Sequence, residues 1–282
     1  MATNKPTPAK PTPAKPTPAA AKPAESKSRD VVPQQGGAIV DSRPDFLKKG
    51  QGRGQENVTH QDLIIPRLEV VQSLSPARDK RHQDYIEGAE EGQLYNSVTR
   101  ELYGEDVTVV PVFFLKEWLV WKDRKKGGGF RGAFANKTDA QLAIKDLKDP
   151  KTGKLEDPDD YAIVDTNQMF CLLLTPEGNQ QIVISMAKSK AKVARKWNSL
   201  IQLSGDDSFA KAYVVESVQE ANAAGENYFN IKVSPKGYVS EAIYTEAEKL
   251  YELLKAGGAT ADRSQSVDDD HTSAGSADSK EF

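Results

Sequence analysis

Phe170-Cys171-Leu172-Leu173-Leu174-Thr175-Pro176-Glu177-Gly178-Asn179-Gln180-Gln181-Ile182-Val183-Ile184-Ser185-Met186 decides the fold. Two apolar, β-branched runs, Phe170–Leu174 and Gln181–Met186, flank a five-residue stretch rich in turn formers. That pattern predicts an antiparallel hairpin. Working outward, Val107–Leu115 is a second strand signal that Trp118–Trp121 continues, and Pro111 marks an edge or a bulge within it. Ala212–Val218 and Tyr228–Val233 are two further strands joined by a polar loop. Gly205-Asp206-Asp207 and Pro235-Lys236-Gly237 are turn signals. Towards the N-terminus, Leu63–Val71 is apolar, but Pro66 argues against a central strand there.

Helical patterns are fewer. Thr138–Leu147 is a short amphipathic candidate with Thr138 as its cap and Leu142, Ile144 and Leu147 inward. Ala187–Leu203 is the main helix. Ser240–Ala256 closes the folded part, capped by Ser240, with Ile243, Ala247, Leu250, Tyr251 and Leu254 on one face and Gly257 as its stop. The expectation is an α+β domain, an antiparallel hairpin-based sheet with a few packed helices. No βαβ unit and no cofactor fingerprint is visible, so no cofactor is expected.

Composition divides the chain into three. Of 282 residues only 38% are hydrophobic, and the deficit sits at the ends. Residues 1–37 carry six Lys or Arg against two acids, and residues 257–282 carry two against six. A net charge of −3 therefore hides a basic arm and an acidic tail. The expected organisation is a disordered Pro/Lys/Gly-rich arm over 1–57, a binding domain over 58–256 and a disordered acidic tail over 257–282. Within the arm, Lys-Pro-Thr-Pro-Ala occurs three times, which favours an extended, solvated rod. Such a rod serves either as a spacer or as a basic arm touching phosphates without sequence choice.

Several functions fall away. No apolar run of about 18 residues exists, so no membrane span is expected. The N-terminus has no apolar stretch of a signal peptide, and one Cys makes no internal disulfide. Cys171 lies in a strand-like apolar run and reads as a buried small hydrophobe. Three scattered His and one Cys give no zinc spacing. The acids of 145–160 are interleaved with Lys in what reads as an exposed loop, so neither a metal site nor an enzyme is expected. The chain is expected in the cytoplasm of its host cell.

Two constellations point to single-stranded nucleic acid. In 118–134, Trp118, Trp121 and Phe130 flank Lys122, Arg124, Lys125, Lys126 and Arg131, with Gly127-Gly128-Gly129 at the tip. Cations neutralise phosphates, flat rings stack on exposed bases, and glycines let backbone approach the strand. The same stretch could instead be a solvated hairpin with aromatic residues in the core. On the main helix, Lys188, Lys190, Lys192, Arg195 and Lys196 precede Trp197. No Asp or Glu interrupts 185–203, so these cations lack intrahelical partners and form an outward basic stripe, which serves either to bind phosphates or simply as a solvated face.

The tail ends Asp278-Ser279-Lys280-Glu281-Phe282. An acidic tail capped by Phe resembles the tails of bacterial and phage single-stranded DNA-binding proteins, although Lys280 dilutes the acidity and no hydrophobe precedes Phe282. That resemblance implies docking of other replication proteins through Phe282, and competition with DNA for a basic groove. Asp62-Leu63-Ile64-Ile65-Pro66-Arg67-Leu68, Gln72-Ser73-Leu74-Ser75-Pro76, Glu91-Gly92-Gln93-Leu94-Tyr95-Asn96 and Val109-Val110-Pro111-Val112 carry a second resemblance. They resemble a podovirus family of early single-stranded DNA-binding proteins that act as cofactors for a phage two-subunit RNA polymerase. The resemblance spans about 60–255 and leaves out the Pro-rich arm. It implies a single-stranded DNA binder of bacteriophage replication or transcription, with a non-standard or OB-like fold. Phage RNA polymerase or replication proteins are the implied partners. Homo-oligomers are also expected. A recombination annealing protein and a virion structural or interaction protein are the alternatives.

Overall fold

The computed structural model describes residues 64–149 and 153–257, together with Met1, Gly54, Glu56, Asn57 and residues 260–261. The rest of the arm and of the tail, including Phe282, lies outside the described residues, as does the side chain of Arg124. The elements are β1 (Ile64–Ile65), β2 (Leu68–Val70), β3 (Leu94–Asn96), β4 (Leu102–Gly104), β5 (Asp106–Lys122), β6 (Phe130–Phe134), α1 (Lys137–Lys145), β7 (Tyr161–Leu174), β8 (Gln180–Ala187), α2 (Ala191–Ser204), β9 (Lys211–Ala221), β10 (Asn227–Tyr238), α3 (Glu241–Lys255) and β11 (Thr260–Ala261). The fold is α+β, with all the ladders of its main sheet antiparallel.

The main sheet has the order β10-β9-β5-β7-β8, and β6 pairs with the distal half of β5. The expected Phe170–Met186 hairpin is β7–β8, with Phe170 opposite Val183. Pro111 produces a bulge, not an edge: the β5–β7 register shifts between Pro111 and Phe113. Pro111 has no N–H to donate, and the β5–β9 ladder stops short of it at Val109 opposite Tyr213. Pro66 separates β1 from β2, as its missing donor requires. Pro235-Lys236-Gly237 is not a turn. β10 runs through it and absorbs the irregularity as a second bulge.

Each face of the sheet is covered. Val109, Cys171, Ile184 and Val233 pack with Trp197 of α2 and with Leu68, Val70 and Leu94 of the small sheet β2-β3-β4. Val110, Val112, Phe170 and Leu172 pack against Ala247, Leu250 and Leu254 of α3. Those α3 positions recur at three- and four-residue spacing, and the Ser240 side chain accepts from the N–H of Ile243 at the helix start. A third, smaller cluster of Val120, Ala140 and Ile144 lies under α1. Asn136, not Thr138, caps α1. Leu142 is exposed, because Ala140 and Ile144, four residues apart, take the inward face and Leu142 lies between them on the other side.

The main sheet is strongly curled. Through the register, Ala187 lies level with Glu117 of β5, and Glu216 lies level with Asp106. On a flat sheet Glu220 would stand about 50 Å along the strand direction from Ala187. Five residues of helical chain advance only about 10 Å, yet Lys192, five residues beyond Ala187, reaches Glu220 at 2.9 Å. Stagger of this kind is what rolling a sheet towards a barrel produces. No β8–β10 ladder closes it among the described residues; α2 contacts both of those strands instead. The fold is thus the non-standard curled sheet, not a closed OB barrel.

Candidate nucleic-acid interface

β5 carries the first constellation into a hairpin with β6. Arg124–Lys126 forms a single 3-10 turn, and Gly127, Gly128 and Gly129 all have positive φ, so the reversal is one that L side chains resist. The carbonyl of Asp123 accepts from the N–H groups of both Lys126 and Gly128 at 2.9 Å. Strand alternation separates the two tryptophans. Trp118 is half-buried against the α1 cluster. Trp121 lies opposite Phe130 with ring centroids 5.3 Å apart, and both are half-buried.

The tip is less cationic than its sequence. Lys122 is not a solvent-facing cation: it donates to Glu156, and the two side chains are 11% and 8% exposed. Lys126 pairs with Asp160 at 3.3 Å. The acids of the 156–160 stretch therefore act as counter-charges for the hairpin. Lys125 and Arg131 remain exposed.

The second constellation also changes. The expected helix from Ala187 begins as a 3-10 turn, Lys188–Lys190, and becomes α-helical at Ala191. Lys190 is buried at 8% exposure and is not part of an outward stripe. Lys192 is exposed but bonded to Glu220, whose carboxylate also accepts from Tyr228 Oη at 2.8 Å and Asn230 Nδ2 at 2.9 Å. The Asn230 amide, then Lys192 and Tyr228, hold Glu220 down at about 2. Arg195 and Lys196 are exposed on the side of α2 away from the fully buried Trp197.

The fold brings parts of the two constellations together. Trp118 is the register partner of Asp165, and the neighbouring Thr166 is the partner of Ala187, the residue before Lys188. Trp118 and the exposed Lys188 thus lie about two strand spacings apart, on the order of 10 Å. Lys188 takes a left-handed φ of 46°, unusual for a residue other than glycine. Lys116 and Lys137 place their ammonium groups 5.4 and 5.9 Å from the Trp118 ring centre.

Residues 34–260 match the family described as Pam3 phage gp34-like protein. The chain belongs to this gp34-like family. It is thereby a phage-type protein, and the match takes in every described element from β1 to α3. No curated protein and no solved structure matches the chain. No helix among the described residues is long and apolar enough to cross a membrane.

Within this gp34-like fold, sequence reasoning missed Lys116, Lys137 and Glu220. Lys116 was legible, since it stands two residues before Trp118 and a strand places i and i+2 on one face. Lys137 and Glu220 had no local signal. Their positions depend on α1 folding back over β5 and on the curl of the sheet.

Proposed function

We propose that this chain is a non-catalytic single-stranded DNA-binding protein of a bacteriophage, working in the infected host cytoplasm in DNA replication or early to middle transcription. The observation that supports this reading is the adjacency of Trp118, with Lys116 and Lys137 against its ring, to the Lys188 turn across β7. A ring flanked by cations meets a base and its phosphates together, and it does so without reading sequence. In this reading the tail recruits RNA polymerase or replication proteins through Phe282, and copies of the chain assemble along the strand. The test is a gel shift at one salt concentration with single-stranded and duplex DNA of the same sequence. Tighter binding of the single strand is expected, and equal affinity would reject the reading.

A further inference from the structure

On one face of the main sheet, two separate covers leave a window between them. Along β7, Leu173, Cys171 and Met169 face the core under α2, while Ile163 packs under α1. Strand alternation puts Asn167 and Asp165 on the same face, between the two covers. The β5–β7 ladder is unbroken from Phe113 to Lys122, so Phe114, Lys116 and Trp118 lie on that face of β5 as well. Phe114 is 37% exposed, although its register partner Met169 is buried. Around Phe114, β5 is paired with β7 alone, since its ladder to β9 ends at Val109 and its ladder to β6 begins at Trp118, so this stretch of the strand is open on one side.

The window has a definite chemistry. Phe114 and Trp118 stand four residues apart along the strand, about 13 Å, with Lys116 between them. Lys137 of α1 stands at one side, and the Lys188 turn follows β8 at the other. The one acid of this floor named above, Asp165, is paired with Lys116 at 3.0 Å. Two rings separated by a cation, with further cations at the sides, suit a single strand whose bases stack and whose phosphates pass between. A duplex offers no free base faces to such a floor.

We infer that single-stranded DNA runs along β5 through this window, with Phe114 and Trp118 as base platforms, Lys137 as a phosphate contact and Lys116 exchanging Asp165 for a second phosphate. This rests on the proposed single-stranded DNA-binding reading and adds the path, together with Phe114, Lys116 and Lys137 as binding residues. On binding, a base replaces a lysine ammonium on the Trp118 ring, and that ammonium moves to a phosphate. The hairpin tip lies outside this path.

The test uses the full chain and fluorescein-labelled oligothymidylate. Phe114→Ala should weaken binding roughly tenfold or more, the value of one lost stack. Phe114→Leu keeps apolar bulk without a π face; it should weaken binding similarly and serves where the alanine variant fails to fold. Lys137→Ala should reduce the log–log salt slope by about 0.7. Leu142→Ala, on the outer side of the same helix, should bind like the parent. Parent-like binding by Phe114→Leu, in a chain that binds oligothymidylate, would overturn the path alone. Failure of the parent chain to bind oligothymidylate would overturn the single-stranded DNA reading itself.

Discussion

Lys192 Nζ lies 2.9 Å from Glu220 Oε2, and the same carboxylate is claimed by Tyr228 and Asn230. One ion pair thus ties the start of α2 to the far end of the β9–β10 hairpin and neutralises a cation on the exposed face of the helix.

Glu220 is held at about 2, below the ordinary 4.5, so its charged form is favoured by folding. The stability it contributes is fully present above pH 4.5 and is lost as pH falls towards 2. Glu220→Gln should flatten the acid limb of unfolding over that window. It should also release Lys192, raise single-stranded DNA affinity and steepen the log–log salt slope by about 0.7. Thermal unfolding against pH and salt-titrated binding check the two effects separately. A steeper acid limb in the variant would contradict the assignment.

Gln72 and Phe229 make the second prediction. β10 is an edge strand, and the Gln72 amide supplies what a neighbouring strand would: its Nε2 donates to the Phe229 carbonyl, and its Oε1 accepts from the Phe229 N–H, each at 2.8 Å. Gly92 sits under the Phe229 ring at φ 84°, where an added Cβ would meet Cε1 at 2.7 Å. Gln72→Ala should cost about 1–3 kcal/mol for two unmet backbone groups. Gly92→Ala should cost about 1–3 kcal/mol from backbone strain, more with the clash. Both act on Phe229, so denaturant unfolding of the double variant should show less than the sum. Strict additivity would show that the two contacts are independent.

The buried pair at the base of the hairpin gives a third. Glu156→Ala strands the Lys122 ammonium in a poorly solvated site and should destabilise the chain by about 3–5 kcal/mol. The double variant Lys122→Met/Glu156→Leu should recover most of that loss, because it removes both desolvated charges. Its salt slope for single-stranded DNA should match the parent, since Lys122 is committed internally. A fall in slope by about 0.7 would return Lys122 to the phosphate contacts.

The strands and α3 were legible because each rests on local patterning: β-branched runs beside turn residues, and α3 positions at helical spacing behind Ser240. Pro111 announced its bulge for a local reason as well, the missing N–H. The charges were not legible in the same way. Lys122, Lys126 and Lys192 find Glu156, Asp160 and Glu220, partners more than two dozen residues away, so a composition count read them as free. Leu142 misled because an amphipathic helix of nine residues admits more than one inward face, and the choice is made by the sheet beneath it. Trp118 and Lys188 stand in separate stretches; only the β5–β7–β8 register brings them within two strand spacings of each other across β7.

Cys171 supplies the last prediction. It sits in the interior strand β7, 1% exposed, and burial pushes its thiol pKa well up. Reaction with a disulfide reagent needs the thiolate and access to sulfur, and the native fold denies both. Labelling should therefore wait for an opening of the main sheet. β7 is paired on both sides along most of its length, to β5 and to β8, and its core joins α2 to the small sheet. Local fraying cannot expose it, so the opening should be close to global. The native labelling rate should be very slow and should rise exponentially with denaturant, with a slope near that of equilibrium unfolding. Oligothymidylate in excess should slow it further if the ligand binds only the folded chain. Fast labelling, insensitive to denaturant, would mean that β7 opens without the rest of the sheet, and the hairpin Phe170–Met186 would then not be the centre of the fold.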